Sequence, residues 1–283
     1  MQRAEAAGRA RWSRTIVWAK LVKDTGCRLR HPGLVWSSEL KEAAYYNGYR
    51  GENGEADGWL FFRNQEGVPG EIALAVGSRE DGAPWFLALD HPGVIAELEA
   101  IRAEPPPGRF AAAYAFATRA DLHGAINRVF HLARSVPDYP LKSFEEDVAH
   151  LGDTEAERLM RQRIGQDRFR KALLDYWKGT CPLTGVTEKS LLRASHIVPW
   201  AECVSDAQRL NVHNGLLLAA HWDAAFDAGL VSFDDSGRAL LSEGLSEPAR
   251  TMLVNCESVT LELHDGHREH LRWHRDRYGF STE

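Results

Sequence analysis

The chain has 283 residues, 44% hydrophobic and 26% charged, with a formal net charge of −6, a composition that fits an ordinary globular protein with room for two domains. No apolar run approaches the roughly eighteen residues of a membrane span, and the basic N terminus MQRAEAAGRARWSRTIVWAKLVK lacks the apolar stretch of a secretory signal, so a cytoplasmic location is expected. Cys27, Cys181, Cys203 and Cys256 stand far apart with no C-x-x-C pair, which argues against a disulfide framework or a four-thiolate zinc knuckle.

An acidic total argues against a phosphate-rich partner, but the charge is uneven. Residues 1–50 carry ten Lys and Arg against four acids, 51–100 carry two against ten, and 157–179 carry seven against three. Locally basic surfaces therefore exist within an acidic whole.

In chain order, residues 15–90 read as short apolar or aromatic runs between turn residues: TIVWAKLV, GLVW, GWLFF, EIALAVG and PWFLALD. Runs this short, bounded by breakers such as EGVPG and REDGAP, predict strands of a small twisted sheet. HPGVIAELEAIRA (91–103) predicts a helix with Pro near its start, EPPPG breaks the chain, and FAAAYAFATRADLHGAINRVFHLARSV is expected to continue as helix. PDYPLKSFEEDVAHLGD (137–153), with two prolines and then an acidic helix, is the expected linker. After it, Thr154 caps a helix reaching Lys178, with an interruption expected at Gly165, and the basic, histidine-rich HDGHREHLRWHRDRYG predicts a terminal amphipathic helix. The fold class expected is α+β: a small, mostly β domain with a helix over 1–136, the linker 137–153, and a second domain over 154–283.

The chemistry concentrates in the second domain. His196 lies on a short apolar run, ASHIVPW; a loop of about seventeen residues leads to Asn214-Gly215 and the run LLL; then AHWDAAFDAG reads as a helix. Asp223 and Asp227 stand at i and i+4, so both carboxylates share one helix face and can address one hard cation. His221 lies about 200° around that helix from Asp223 and is a lesser candidate ligand. His213 reads as a loop residue, and His270 and His274 as a solvated helix face lacking a third ligand. Trp200 and Trp222 read as core, and Asp234 and Asp235 fit a hairpin turn with Gly237.

His196, Asn214 and Asp223, nine residues after the Asn, with Asp227 four further on, resemble the HNH nucleases of the ββα-metal fold, in the McrA-like restriction-type variant with acids on the helix. The words RASHIVPW, NGLLL and FDAGLVSFDDSGR carry the resemblance, which extends over about 140–283 and leaves 1–135 untouched. It implies a ββα-metal domain flanked by helices that hydrolyses DNA phosphodiesters, leaving 5′ phosphate and 3′ hydroxyl ends. His196 would be the general base, Asp223 and Asp227 would hold one divalent ion, magnesium or manganese rather than zinc, and Asn214 would brace the loop that carries His196. Ser195 stands where many members place a charged ligand, which opens the ligand set to question.

DNA is the expected partner, met by Arg161, Arg168, Arg170, Lys171 and Arg193, and a homodimer is expected if both strands are cut. The N-terminal domain, with its aromatic clusters AAYYNGYRG and PWFLAL, would read DNA, including modified bases, in restriction or phage defence. Two other readings stay open: a catalytically silent DNA-binding module of the same fold, and a nuclease effector gated through the N-terminal domain.

Overall fold

A computed structural model describes residues 31–64, 68–98, 101–103, 105–106, 108, 110–136, 139–254 and 260–280. The run at 15–22 and two of the cysteines, Cys27 and Cys256, lie outside them. The chain divides into two compact units that part between Ala133 and Arg134. Among the described residues no helix is long and apolar enough to cross a membrane.

The first unit is a six-stranded antiparallel sheet in the order β1-β2-β3-β4-β6-β5. Its strands are β1 (Gly51–Ala56), β2 (Trp59–Arg63), β3 (Glu71–Val76), β4 (Trp85–Leu89), β5 (Ile101–Ala103) and β6 (Ala112–Phe116). Asp57-Gly58, both at positive φ, close the β1–β2 hairpin with the two-residue turn whose twist matches that of the strands. β4 and β6 are buried at every position, as strands covered on both faces must be. Trp85 and Phe86 of the PWFLAL cluster are core residues. Helices α1 (Leu34–Tyr46) and α3 (Arg119–Ala133) lie against the sheet, α1 on β2 and β3, α3 on β4 and β6.

Three expectations are corrected here. GLVW opens helix α1 instead of forming a strand. The run that follows it, SSELKEAAYY, has the good helix formers Glu, Leu, Lys, Glu, Ala and Ala over 39–44, and Leu34 and Val35 point outward, 90% and 69% exposed. The helix expected over 91–103 stops at Glu97 as α2 (Pro92–Glu97), and β5 follows it. The apolar run from 110 does not continue as helix: it is β6, and α3 starts after Thr118, whose hydroxyl accepts from Asp121 N–H at 3.1 Å as an N-cap does.

In the second unit, the segment read as a linker contains α4 (Tyr139–Val148), packed on α5 (Glu155–Tyr176) through buried Phe144. Thr154 and Glu157 form the capping box that starts α5. The helix runs unbroken through Gly165, against the interruption expected there, because buried Gly165 leaves room for the Trp200 indole: a Cβ would lie 2.4 Å from Trp200 Cη2. Then come β7 (Leu192–His196), α6 (Asp206–Leu210), β8 (Gly215–Ala219), α7 (Ala220–Asp227), the hairpin β9 (Val231–Phe233) and β10 (Ala239–Leu241), α8 (Glu247–Val254) and α9 (Asp265–Tyr278). Asp234 organises the β9–β10 turn by accepting from Ser236 N–H and Arg238 N–H, and the terminal helix ends on left-handed Gly279.

Candidate active site

Strands β7 and β8 pair antiparallel with His196 opposite Gly215 and Ser195 opposite Leu216. Helix α7 begins directly after β8, so the end of β7 and the face of α7 meet. Each strand is short, and its alternation decides what faces what: Ser195 is buried, while His196 on the other side is half-buried.

Ser195 Oγ donates to Asp223 Oδ1. The Ser195 hydroxyl is thus aimed at the first carboxylate of α7. One turn further, the exposed Asp227 carboxyl is raised to about 6, first by desolvation among its neighbours and second by the charge of Asp223. Repulsion between two carboxylates is the electrostatic condition that a bound cation relieves. Ser195, Asp223 and Asp227 supply oxygen donors only, which suit a hard divalent ion such as magnesium or manganese better than zinc. His221 on the same helix is half-buried and makes no hydrogen bond or ion pair among the described residues.

The His196 imidazole is enclosed on three sides. Its ring stacks on Phe169 of α5, centroids 3.7 Å apart and planes 17° from parallel. Trp200 meets it edge-on at 5.6 Å. Nε2 lies 2.8 Å from the Arg209 carbonyl oxygen; a carbonyl only accepts, so Nε2 carries the proton and Nδ1 is the basic nitrogen. Burial lowers the pKa to about 4 against the smaller opposing effect of that hydrogen bond, so the ring is neutral at pH 7.

Asn214 is fully buried and belongs to the loop. Its Oδ1 accepts from Val198 N–H at 2.8 Å, and its Nδ2 donates to the carbonyls of Val198 and Gln208, both at 3.2 Å, and to Cys203 Sγ at 3.3 Å. One amide therefore closes the loop between β7 and β8 onto the residues just after His196. Arg209 completes the closure: its side chain donates to the carbonyls of Trp200 and Cys203 and pairs with Asp206 at 2.8 Å.

The basic residues singled out in sequence divide. Arg168 pairs with Asp147, and Arg170 donates to the carbonyls of Leu192 and Lys189, so both guanidiniums hold α5 in place. Arg161 reaches the Leu151 carbonyl at 3.4 Å. Lys171 and Arg193 are exposed, although Arg193 also donates to the Ser190 carbonyl. In the tail His270 bonds the Gly266 carbonyl. His274 is not solvated, as had been expected: it is buried and stacked on Phe226 at 4.0 Å, with Ser232 Oγ 3.0 Å from Nδ1.

Sequence reasoning missed Phe169 and Arg209. Phe169 falls on the buried stripe Gly165, Phe169, Ala172, Leu173, Tyr176, so its burial was legible but not its contact with His196. Arg209 acts on His196 through a backbone carbonyl, for which no side-chain pattern exists.

Residues 181–234 match the family model HNH_2, described as HNH endonuclease. A search of curated proteins finds no match.

Proposed function

From the match of residues 181–234 to the HNH endonuclease family model, we propose that the protein is a divalent-metal-dependent endonuclease that hydrolyses DNA phosphodiester bonds. The observation that carries this reading is the hydrogen bond from Ser195 to Asp223, which ties the end of β7, where the neutral and oriented His196 stands, to the helix that bears Asp223 and Asp227.

His196 takes the proton of an attacking water on Nδ1, since Nε2 is held by Arg209. Asp223 and Asp227, with Ser195 orienting the first, would hold the cation. When bound, a divalent ion supplies Lewis-acid stabilisation of charge on phosphoryl and leaving oxygens. Asn214 keeps the loop closed so that His196 stays in register with those carboxylates. Lys171 and Arg193 offer exposed cations for DNA phosphates.

We further propose that the N-terminal unit reads the substrate, as restriction or defence against foreign DNA requires. Supporting this, Tyr45 and Tyr46 on α1 are 54% and 75% exposed. They line a cleft of about 230 Å³ with Lys41, Tyr49 and Arg50 and with two acids, Glu42 and Glu52, the second paired with Lys41 at 2.7 Å. The Arg50 guanidinium lies 5.4 Å from the Tyr45 ring centroid. Exposed aromatic faces beside cations are what unstacked bases bind.

The test is nicking of supercoiled plasmid, unmodified and methylated, in magnesium, in manganese and in chelator. Metal-dependent nicking is expected, with one plasmid preferred if the first unit reads modification. Binding without nicking in either metal would replace the nuclease by a DNA-binding module.

A further inference from the structure

We propose that Phe169 is a positioning residue for His196, delivered by α5 from outside the matched segment and admitted to the site by Gly215. The inference rests on the nuclease reading and deepens it.

One hydrogen bond is a hinge. The contact from His196 Nε2 to the Arg209 carbonyl fixes which nitrogen is protonated but lets the ring pivot about the Nε2···O line, and the χ2 torsion of a histidine is broad. A ring stacked at 3.7 Å and 17° removes that pivot, because tilting the imidazole drives one edge into Phe169. Trp200, edge-on at 89°, limits motion within the plane. Nδ1 is then left in one place.

The space for the stack is made by glycine. Gly215 is the β8 residue opposite His196, and a Cβ there would lie 2.4 Å from Phe169 Cζ. The gap is filled instead by the fully buried Phe169 ring, with Leu173 Cδ1 beside it at 2.9 Å from the same Cβ position. Gly165 does the same for Trp200, whose Cη2 occupies the place of a Cβ at 2.4 Å. Asn214-Gly215 thus has two separate duties: the amide closes the loop, and the missing side chain admits the ring. Arg170, next to Phe169, locks the helix to the start of β7 through the carbonyls of Leu192 and Lys189. The site therefore needs α5, and residues 181–234 alone do not complete it.

The test compares Phe169→Leu with Leu253→Ala in the full chain. Leucine keeps an apolar side chain but removes the flat face; Leu253, on α8 and equally buried, serves as a control for lost packing. Phe169→Leu is expected to lower kcat for nicking by about ten- to hundred-fold with KM changed less than about twofold. Leu253→Ala is expected to lower the melting temperature and leave kcat of the folded protein unchanged. NMR relaxation of the His196 ring is expected to show an ordered imidazole in the wild type and a more mobile one in Phe169→Leu, with the Nε2–H tautomer kept in both by the Arg209 carbonyl. An unchanged kcat in Phe169→Leu, or an equal loss in Leu253→Ala, overturns the proposal. If the wild type nicks nothing, the nuclease reading fails separately and the NMR decides: an unaltered imidazole in Phe169→Leu overturns the positioning role.

Discussion

At the scale of single residues, Asp227 gives the clearest handle on the metal. Its carboxyl is raised to about 6, so the folded protein holds that proton more tightly than the unfolded chain does. For a raised acid the associated stability is present below its unfolded value and is lost as pH rises through about 6, where two ionised carboxylates face each other. A divalent cation offsets that repulsion only when Asp227 is ionised. Manganese should therefore raise the melting temperature at pH 7.5 and have little effect at pH 5, and the contrast should shrink in Asp227→Asn. An equal shift at both pH values in the wild type would show that the ion binds elsewhere. His196, near 4, stays neutral across the same range and does not contribute to the contrast. The placement of His196 at the end of β7, of Asn214 just before β8 and of Asp223 and Asp227 one turn apart on α7 was legible in sequence, because the runs around them read as strand, strand and helix. Ser195 looked like a missing ligand, and only its hydrogen bond to Asp223 gives it a place. Phe169 and the Arg209 carbonyl were beyond reach, since ring stacking and backbone acceptors leave no spacing to read.

Between elements, two effects of opposite sign meet at Gly165. Replacing glycine by alanine inside an exposed helix stabilises it by about 1 kcal/mol. Here the added Cβ would lie 2.4 Å from Trp200 Cη2, and overpacking of a filled interior costs about 1–3 kcal/mol. The packing cost wins, so Gly165→Ala should lower the urea midpoint of the protein; a raised midpoint would mean that the indole swings clear at no cost. The same competition between local pattern and tertiary context decided which elements were readable. GWLFF, EIALAVG and PWFLALD are strands as their breakers imply. GLVW, read as four isolated residues, concealed a helix whose signal lies downstream of it. In the run from Phe110 to Val136, Thr118 is the N-cap that separates strand from helix, a cue masked by the alanines on both sides of it, which let strand and helix read as one run. The acidic helix expected after the prolines of 137–153 starts earlier, at Tyr139, with Pro140 in its first turn, where proline is tolerated.

Across the whole molecule, buried neutral histidines set the response to acid. His196 and His274 are each lowered to about 4 and His267 well below the usual value, in every case chiefly by burial. Between about pH 6.5 and 4 the unfolded chain binds more protons than the folded one, so stability rises with pH across that window and is lost on acidification. The melting temperature should fall steeply from pH 7 to pH 5, and less steeply in His274→Phe if that variant folds. A flat profile would mean that these rings are hydrated in the folded protein. The division into two units, one a six-stranded sheet and the other carrying the matched family segment, places the candidate chemistry wholly in the second.

The central claim is that His196 acts as the base of a nuclease, and its most direct test is the single-turnover rate of plasmid nicking by wild type and His196→Ala in manganese, with DNA binding measured in parallel. Loss of a positioned general base should slow nicking by about 10²- to 10⁴-fold while binding is retained. Nicking by His196→Ala at the wild-type rate would contradict the account.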